Sequence, residues 1–161
     1  MVDIPAEIRI LVSIQRGSVY YFEDDQLSSE EPHYFIVLNE NPRNGDLLIL
    51  LVASSQVAKR TRIANLLGFP PETLVVITPT ECPLFTKETI IDCNSTFEKT
   101  TRSLIEKLEA GKLKVCTEIL PLEIVDRLIA GVLASTQVST NIQEILSPVV
   151  LPQNEPNKVT A

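Results

Sequence analysis

Long apolar runs, paired thiols, a second histidine and a surplus of positive charge are all missing from this chain, and each absence removes a class of protein. No stretch of about 18 residues is apolar throughout, so an ordinary membrane-spanning helix is not expected. No cationic start leads into an apolar segment with a small-residue cleavage site, and the chain therefore reads as cytoplasmic. Cys82, Cys93 and Cys116 form no C-x-x-C pair and have a single histidine, His33, to help them. That set is not a zinc site and reads as three free thiols; no metal and no cofactor is expected. The formal net charge of −7 argues against a polyanion binder that works by bulk charge, so contact with nucleic acid needs a local basic patch. No repeat of about 20 to 50 residues recurs, which argues against a solenoid. Asn94-Ser95-Thr96 fits the glycosylation sequon, but without a secretion signal the match is accidental.

What is present is the composition of a folded domain, 44% hydrophobic and 22% charged over 161 residues. One domain is expected over residues 1–146. Residues 147–161, broken by Pro148, Pro152 and Pro156 and without periodicity, read as a flexible tail. The chain is organised around His33 to Ser55. There HYFIVLN, a polar ENPRNG turn with Pro42 and the Asn44-Gly45 pair, and DLLILLVASS predict a β-hairpin. Leu47 to Val52 is apolar at every position, so this strand must be covered on both faces.

Around the hairpin, Glu7 to Ile14 can be a short helix or a strand, and Ser18 to Glu23 (SVYYFE) predicts a first strand. Asp24 to Pro32 is a polar loop. Gln56 to Arg62 carries Lys59, Arg60 and Arg62 as a cationic turn, followed by a short apolar piece ended by Pro70-Pro71. Strands are predicted at Thr73 to Ile77, at Thr89 to Asp92 and over Lys112 to Ile119. Phe97, Thr101, Leu104, Ile105 and Leu108 recur at helical spacing, with Ser95 or Thr96 as N-cap and Gly111 as terminator. A second helix carries Ile124, Leu128, Ile129, Val132 and Leu133 after Pro121, and Asn141 to Leu146 can add a last helical turn. The fold class is α+β: a small, strongly bent antiparallel sheet of roughly five to seven strands, built as a compact β-barrel with two or three helices mostly late in the chain. Val37, Leu48, Leu50 and Val75 are expected in one core, with the late helices against it through Leu104, Leu108, Ile124 and Leu128.

The order RGSVYYF, polar loop, HYFIVLN, LLILLVASSQ and a late helix leading to LPLEIVDRLIAGVL resembles the MazF/PemK family of toxin endoribonucleases over about residues 16 to 134. The resemblance implies an SH3-like barrel and metal-independent cleavage of single-stranded RNA. It further implies a small antitoxin protein as partner and a homodimer, with no membrane partner. Arg16-Gly17 matches the family's opening pair, with Ser18 where the family has aspartate. The family's catalytic hydroxyl falls on Ser54, with Ser55 one step away. Its catalytic arginine has no counterpart, since that position falls on Pro32 or His33.

Cleavage without a metal needs a group that takes the 2′-OH proton, a group that protonates the 5′-oxygen, and positive charge over the phosphate. His33 titrates near neutrality and can do acid or base work, although it lacks arginine's fixed bidentate charge. The candidate catalytic residues are therefore His33, Ser54 and Ser55, and the candidate RNA-binding residues Arg16, Lys59, Arg60 and Arg62. Against this stand plainer roles: an edge histidine, a strand-end serine closing a turn, a solvated cationic turn. The alternative function is a non-catalytic SH3-like module that binds RNA or a protein partner. For assembly, Ile129 and Leu133 supply more apolar surface than one barrel needs, which favours a two-fold dimer.

Overall fold

The computed structural model describes residues 3–43 and 45–147. Asn44 of the hairpin turn, and the expected tail from residue 148 onward, lie outside the described residues. The first half of the chain forms α1 (Ala6–Ser13), β1 (Val19–Phe22), β2 (His33–Val37), β3 (Leu47–Ser54) and α2 (Val57–Leu67). A 3-10 turn (Pro71–Thr73) then leads into β4 (Leu74–Ile77), β5 (Thr89–Asp92) and β6 (Phe97–Thr100). The last part forms α3 (Thr101–Glu109), β7 (Leu113–Val115), α4 (Leu122–Ala134) and α5 (Thr140–Leu146).

The hairpin forms as its sequence predicts, β2 against β3 in antiparallel register with Phe35 opposite Val52 and Val37 opposite Leu50. Its loop is closed by a side chain rather than by the turn alone. The buried Asn39 accepts from the Ile49 amide at 2.7 Å and donates to the Leu47 carbonyl at 2.8 Å, so both of its polar ends are satisfied. All described strands join one antiparallel sheet in the order β4-β5-β3-β2-β1-β7. β6 pairs with the first half of β3, on the side where β5 pairs with its last two residues.

That sharing of one edge of β3 splits the sheet, and among the described residues the linear order does not close into a barrel. The α+β class and antiparallel sheet stand; the closed barrel does not. Alternation along each strand instead makes two cores. Ile36, Ile49, Leu51 and Ile91 face one layer with Ile124, Val125 and Leu128 of α4 and Ile142 of α5. Phe35, Val37, Leu48 and Leu50 face the other with Ile10 of α1 and Leu104 and Ile105 of α3. Two-sided cover is what an all-apolar central strand requires, and Leu48 through Leu51 are fully buried. Val75 therefore sits in the layer opposite Val37, Leu48 and Leu50, not in one core with them.

Other boundaries differ from the sequence expectation for local reasons. Phe97 belongs to β6, not to the following helix, because its ring is needed beside Phe35 at 5.3 Å between centroids. The helix starts one turn later on a capping box, Thr100 accepting from the Ser103 amide and Ser103 Oγ reaching back to the Thr100 amide. Gly111 ends it as expected, at a φ of 73° that other residues adopt only with strain. The cationic stretch after Ser55, expected as a turn, forms the N-terminal part of α2, with Lys59, Arg60 and Arg62 all helical. The strand over Lys112 to Ile119 shrinks to three residues, since only those pair with β1. Ile129, counted toward a dimer surface, is buried within its own subunit, while Leu133 stays partly exposed.

Candidate functional site

Two strands that part company open a cavity between them. β2 and β3 are paired as far as Phe35 and Val52; beyond that point β3 turns to β5, placing Ala53 opposite Ile91 and Ser54 opposite Ile90. The opening, about 380 Å³, is walled by His33 and Tyr34 of β2, by Ala53 and Ser54 of β3, and by the start of α2. The Leu27–Pro32 loop and the loop before β5, with Phe85, Thr86 and Lys87, complete it. Five residues named from the sequence meet here: His33, Ser54, Ser55, Lys59 and Arg60.

Hydrogen bonds occupy one side of two of them. His33 Nδ1 lies 2.9 Å from the Glu31 carbonyl oxygen, which can only accept, so Nδ1 is the donor there and Nε2 is the ring nitrogen without a partner among the described residues. Ser54 Oγ accepts from the Gln56 amide at 3.1 Å, closing the turn from β3 into α2 and leaving its own O–H free to donate. Helix α2 has no side-chain N-cap bond and no acidic residue in its first turn. Its free N–H groups and the positive end of its dipole therefore open on the same space as Lys59 and Arg60.

The described residues form three ion pairs, Arg16–Glu40, Lys99–Asp24 and Arg127–Glu81, so Lys59, Arg60 and Lys87 face the cavity without an acidic partner within 4.0 Å. Arg60 is the most constrained of them. Its Nε is buried and has no hydrogen-bond partner among the described residues. Burial raises the Tyr34 phenol, which keeps it a neutral donor; its ring packs 4.6 Å from Tyr21 and 5.8 Å from Phe85 between centroids.

Two expected residues do not join this site. Arg16 precedes β1, which runs antiparallel to β2, and so lies at the far end of the hairpin from His33. There its Nε donates to the Leu38 carbonyl at 2.9 Å and its Nη1 pairs with Glu40 at 3.7 Å. Arg62 follows Arg60 by two helical positions, about 200° around the axis, and is exposed away from the cavity. Lys87, Thr86 and Phe85 were missed because a loop between strands carries no periodic signal. Tyr21 and Tyr34 were read only as strand formers.

The loop wall is held by one ion pair. Lys99 Nζ lies 2.7 Å from Asp24 Oδ2, with the Asp24 side chain 3% exposed. Burial works to raise the Asp24 carboxyl, but the Gln26 amide and the Lys99 ammonium outweigh it and hold it below the ordinary carboxylate value. Among the described residues no group of three His, Cys, Asp or Glu side chains could hold a metal ion, and no described helix is long and apolar enough to cross a membrane. No protein-family model matches the chain, and no curated protein matches it.

Proposed function

We propose that the chain is a toxin-type endoribonuclease that cleaves single-stranded RNA without a metal ion, the activity its MazF/PemK-like pattern implies. One observation carries the reading: an unpartnered imidazole nitrogen, a hydroxyl free to donate and cations without an acidic partner border one cavity in an otherwise acidic protein. In this reading Nε2 of His33 takes the ribose 2′-OH proton and the 2′-oxygen attacks phosphorus. The P–O5′ bond breaks, the O5′ oxygen leaves with the proton returned from the imidazolium, and a 2′,3′-cyclic phosphate remains. Lys59 and Arg60 carry the phosphate charge, and the Ser54 hydroxyl, with Ser55 beside it, donates to a non-bridging oxygen. Arg16 and Arg62 have no part in it.

The same reading places the enzyme in the cytoplasm as a homodimer, restrained by a small antitoxin protein whose acidic segment covers the cationic opening. Kinship with the family's SH3-like barrel would be carried by β1, β2 and β3. The competing reading is a non-catalytic module binding RNA or a protein segment, favoured by the bond that already employs Ser54 Oγ in a turn. An RNA-cleavage assay without metal decides between them. His33→Ala is expected to abolish cleavage with the fold intact, and Ser54→Ala to slow it less. Wild-type protein that binds single-stranded RNA or a peptide but leaves a panel of RNAs intact would reject the enzyme.

A further inference from the structure

A second, smaller cavity of about 270 Å³ shares a wall with the first, formed by Leu27, Ser28, Ser54 and Arg60. Its character is different. Val52, Ile90 and Phe97 give it apolar sides, and Asp92, Ser95 and Gln26 supply the polar groups. A small concave space with apolar faces and few polar groups suits a flat heterocycle, which hides its faces and satisfies its edge.

Arg60 joins the two spaces. The residue lines both, and its buried Nε, without a partner among the described residues, is a charged donor that folding leaves unsatisfied. Such a donor costs free energy unless something bound supplies an acceptor. Asp92 faces the smaller cavity in the complementary state. Its Oδ1 accepts from the Asn94 amide and from Asn94 Nδ2, both at 2.9 Å, which fixes the carboxylate. Oδ2 accepts no hydrogen bond from the described residues, so both of its lone pairs are left to receive donors.

We infer that this second cavity is a nucleobase pocket, that Asp92 reads the edge of the base within it, and that the base it selects is guanine. The inference rests on the reading of the first cavity as an RNA phosphate site, with Arg60 holding the phosphate next to the base. The selectivity follows from edge chemistry. A carboxylate repels acceptor lone pairs, and on their pairing edges adenine, cytosine and uracil each set an acceptor next to their N–H donor. Guanine sets N1–H and the 2-amino group side by side, two donors that the free Oδ2, with its two lone pairs, receives without that repulsion.

The test uses the full chain and labelled 2′-deoxy oligonucleotides of about eight residues, within the range one small single-strand binding site covers. These lack the 2′-OH nucleophile and so stay intact; they are deoxyuridine throughout except for one central A, C, G or U. Anisotropy titrations are expected to give on the order of tenfold tighter binding for the guanine oligonucleotide. Asp92→Asn, which keeps the acceptor that Asn94 uses, is expected to lose that preference while still binding all four. Arg60→Met is expected to weaken all four alike. Equal affinity for the four bases, or a guanine preference unchanged in Asp92→Asn, overturns the inference and leaves the RNA reading in place. Failure to bind any of the four, including the case where a polyglutamate peptide binds instead, overturns both.

Discussion

Replacing Lys99 with methionine tests the link between the buried ion pair and the wall of the site. Methionine keeps most of the lysine stem, so the change removes the charge with little loss of packing. The Asp24 side chain is 3% exposed and would be left as a buried carboxylate without its cation. Breaking a buried pair in this way typically costs about 3–5 kcal/mol, and the lower end applies because the Lys99 side chain keeps 17% exposure to water. A loss of about 3 kcal/mol corresponds to a fall in Tm of roughly 6–12 °C for a chain of this size.

The pH dependence supplies the control. In the parent protein the Asp24 carboxyl is held below its ordinary value, so its contribution to stability is present above the unfolded pKa and is lost as pH falls through the folded one. Without Lys99 the desolvation of the carboxylate goes largely unopposed and its pKa rises, so protonation relieves the variant. The stability gap between the two proteins, measured by urea unfolding, is expected to be full at pH 7, to begin narrowing as pH falls through the variant's raised Asp24 pKa, above the ordinary carboxylate value of about 4, and to go on narrowing as pH falls toward the parent's lowered one. The double variant Asp24→Asn, Lys99→Met is expected to recover much of the loss, since no buried charge remains. A gap that stays constant with pH, or one below about 0.5 kcal/mol at pH 7, would refute the reasoning.

Three further outcomes are expected. A Cβ at Gly131 would lie 2.7 Å from Cys93 Sγ and 2.9 Å from the Glu72 carbonyl oxygen, so Gly131→Ala should destabilise by about 1–3 kcal/mol despite alanine's better helix propensity; a neutral result in thermal unfolding would contradict the packing of α4. Thr100→Ala should cost about 1 kcal/mol as the loss of a helix cap, whereas Thr96→Ala should cost far less, and the reverse order would return the start of α3 to the earlier position. Burial, with Asp92 adding to it, pushes the Cys93 thiol up to about 12; a thiol reagent near neutral pH should label the partly exposed Cys116 first and Cys93 only after denaturation. Labelling of Cys93 at the rate of Cys116 in folded protein would count against that core.

Much of the backbone was legible because its signals are local. The alternation and the polar turn of the hairpin, the apolar strand of β4 between prolines, the stripe of α4 and the glycine after α3 each act within a few residues, where period and backbone freedom decide the outcome. Phe97 shows where such reading stops. It fits a helical stripe as well as a strand face, and only the ring of Phe35, 62 positions earlier in the chain, selects the strand. Val57–Leu67 is the converse case, a helix whose one buried residue is Ala64, which gives too thin an apolar stripe to stand out among its cations.

The candidate site divides along the same line. His33, Ser54 and Ser55 could be named because they stand at the ends of one hairpin, and Lys59 and Arg60 because they follow it closely. The sequence by itself therefore determined the strands other than β6, the central place of β3 and the residue types available for acid–base and phosphate chemistry. Which of these meet was left to tertiary structure. The parting of β2 from β3, the return of the loop carrying Lys87, the removal of Arg16 to the far end of the hairpin and the second cavity at Asp92 all depend on which strand takes each edge of β3. That choice is made by burial of apolar faces between elements far apart in sequence, and local periodicity carries no record of it.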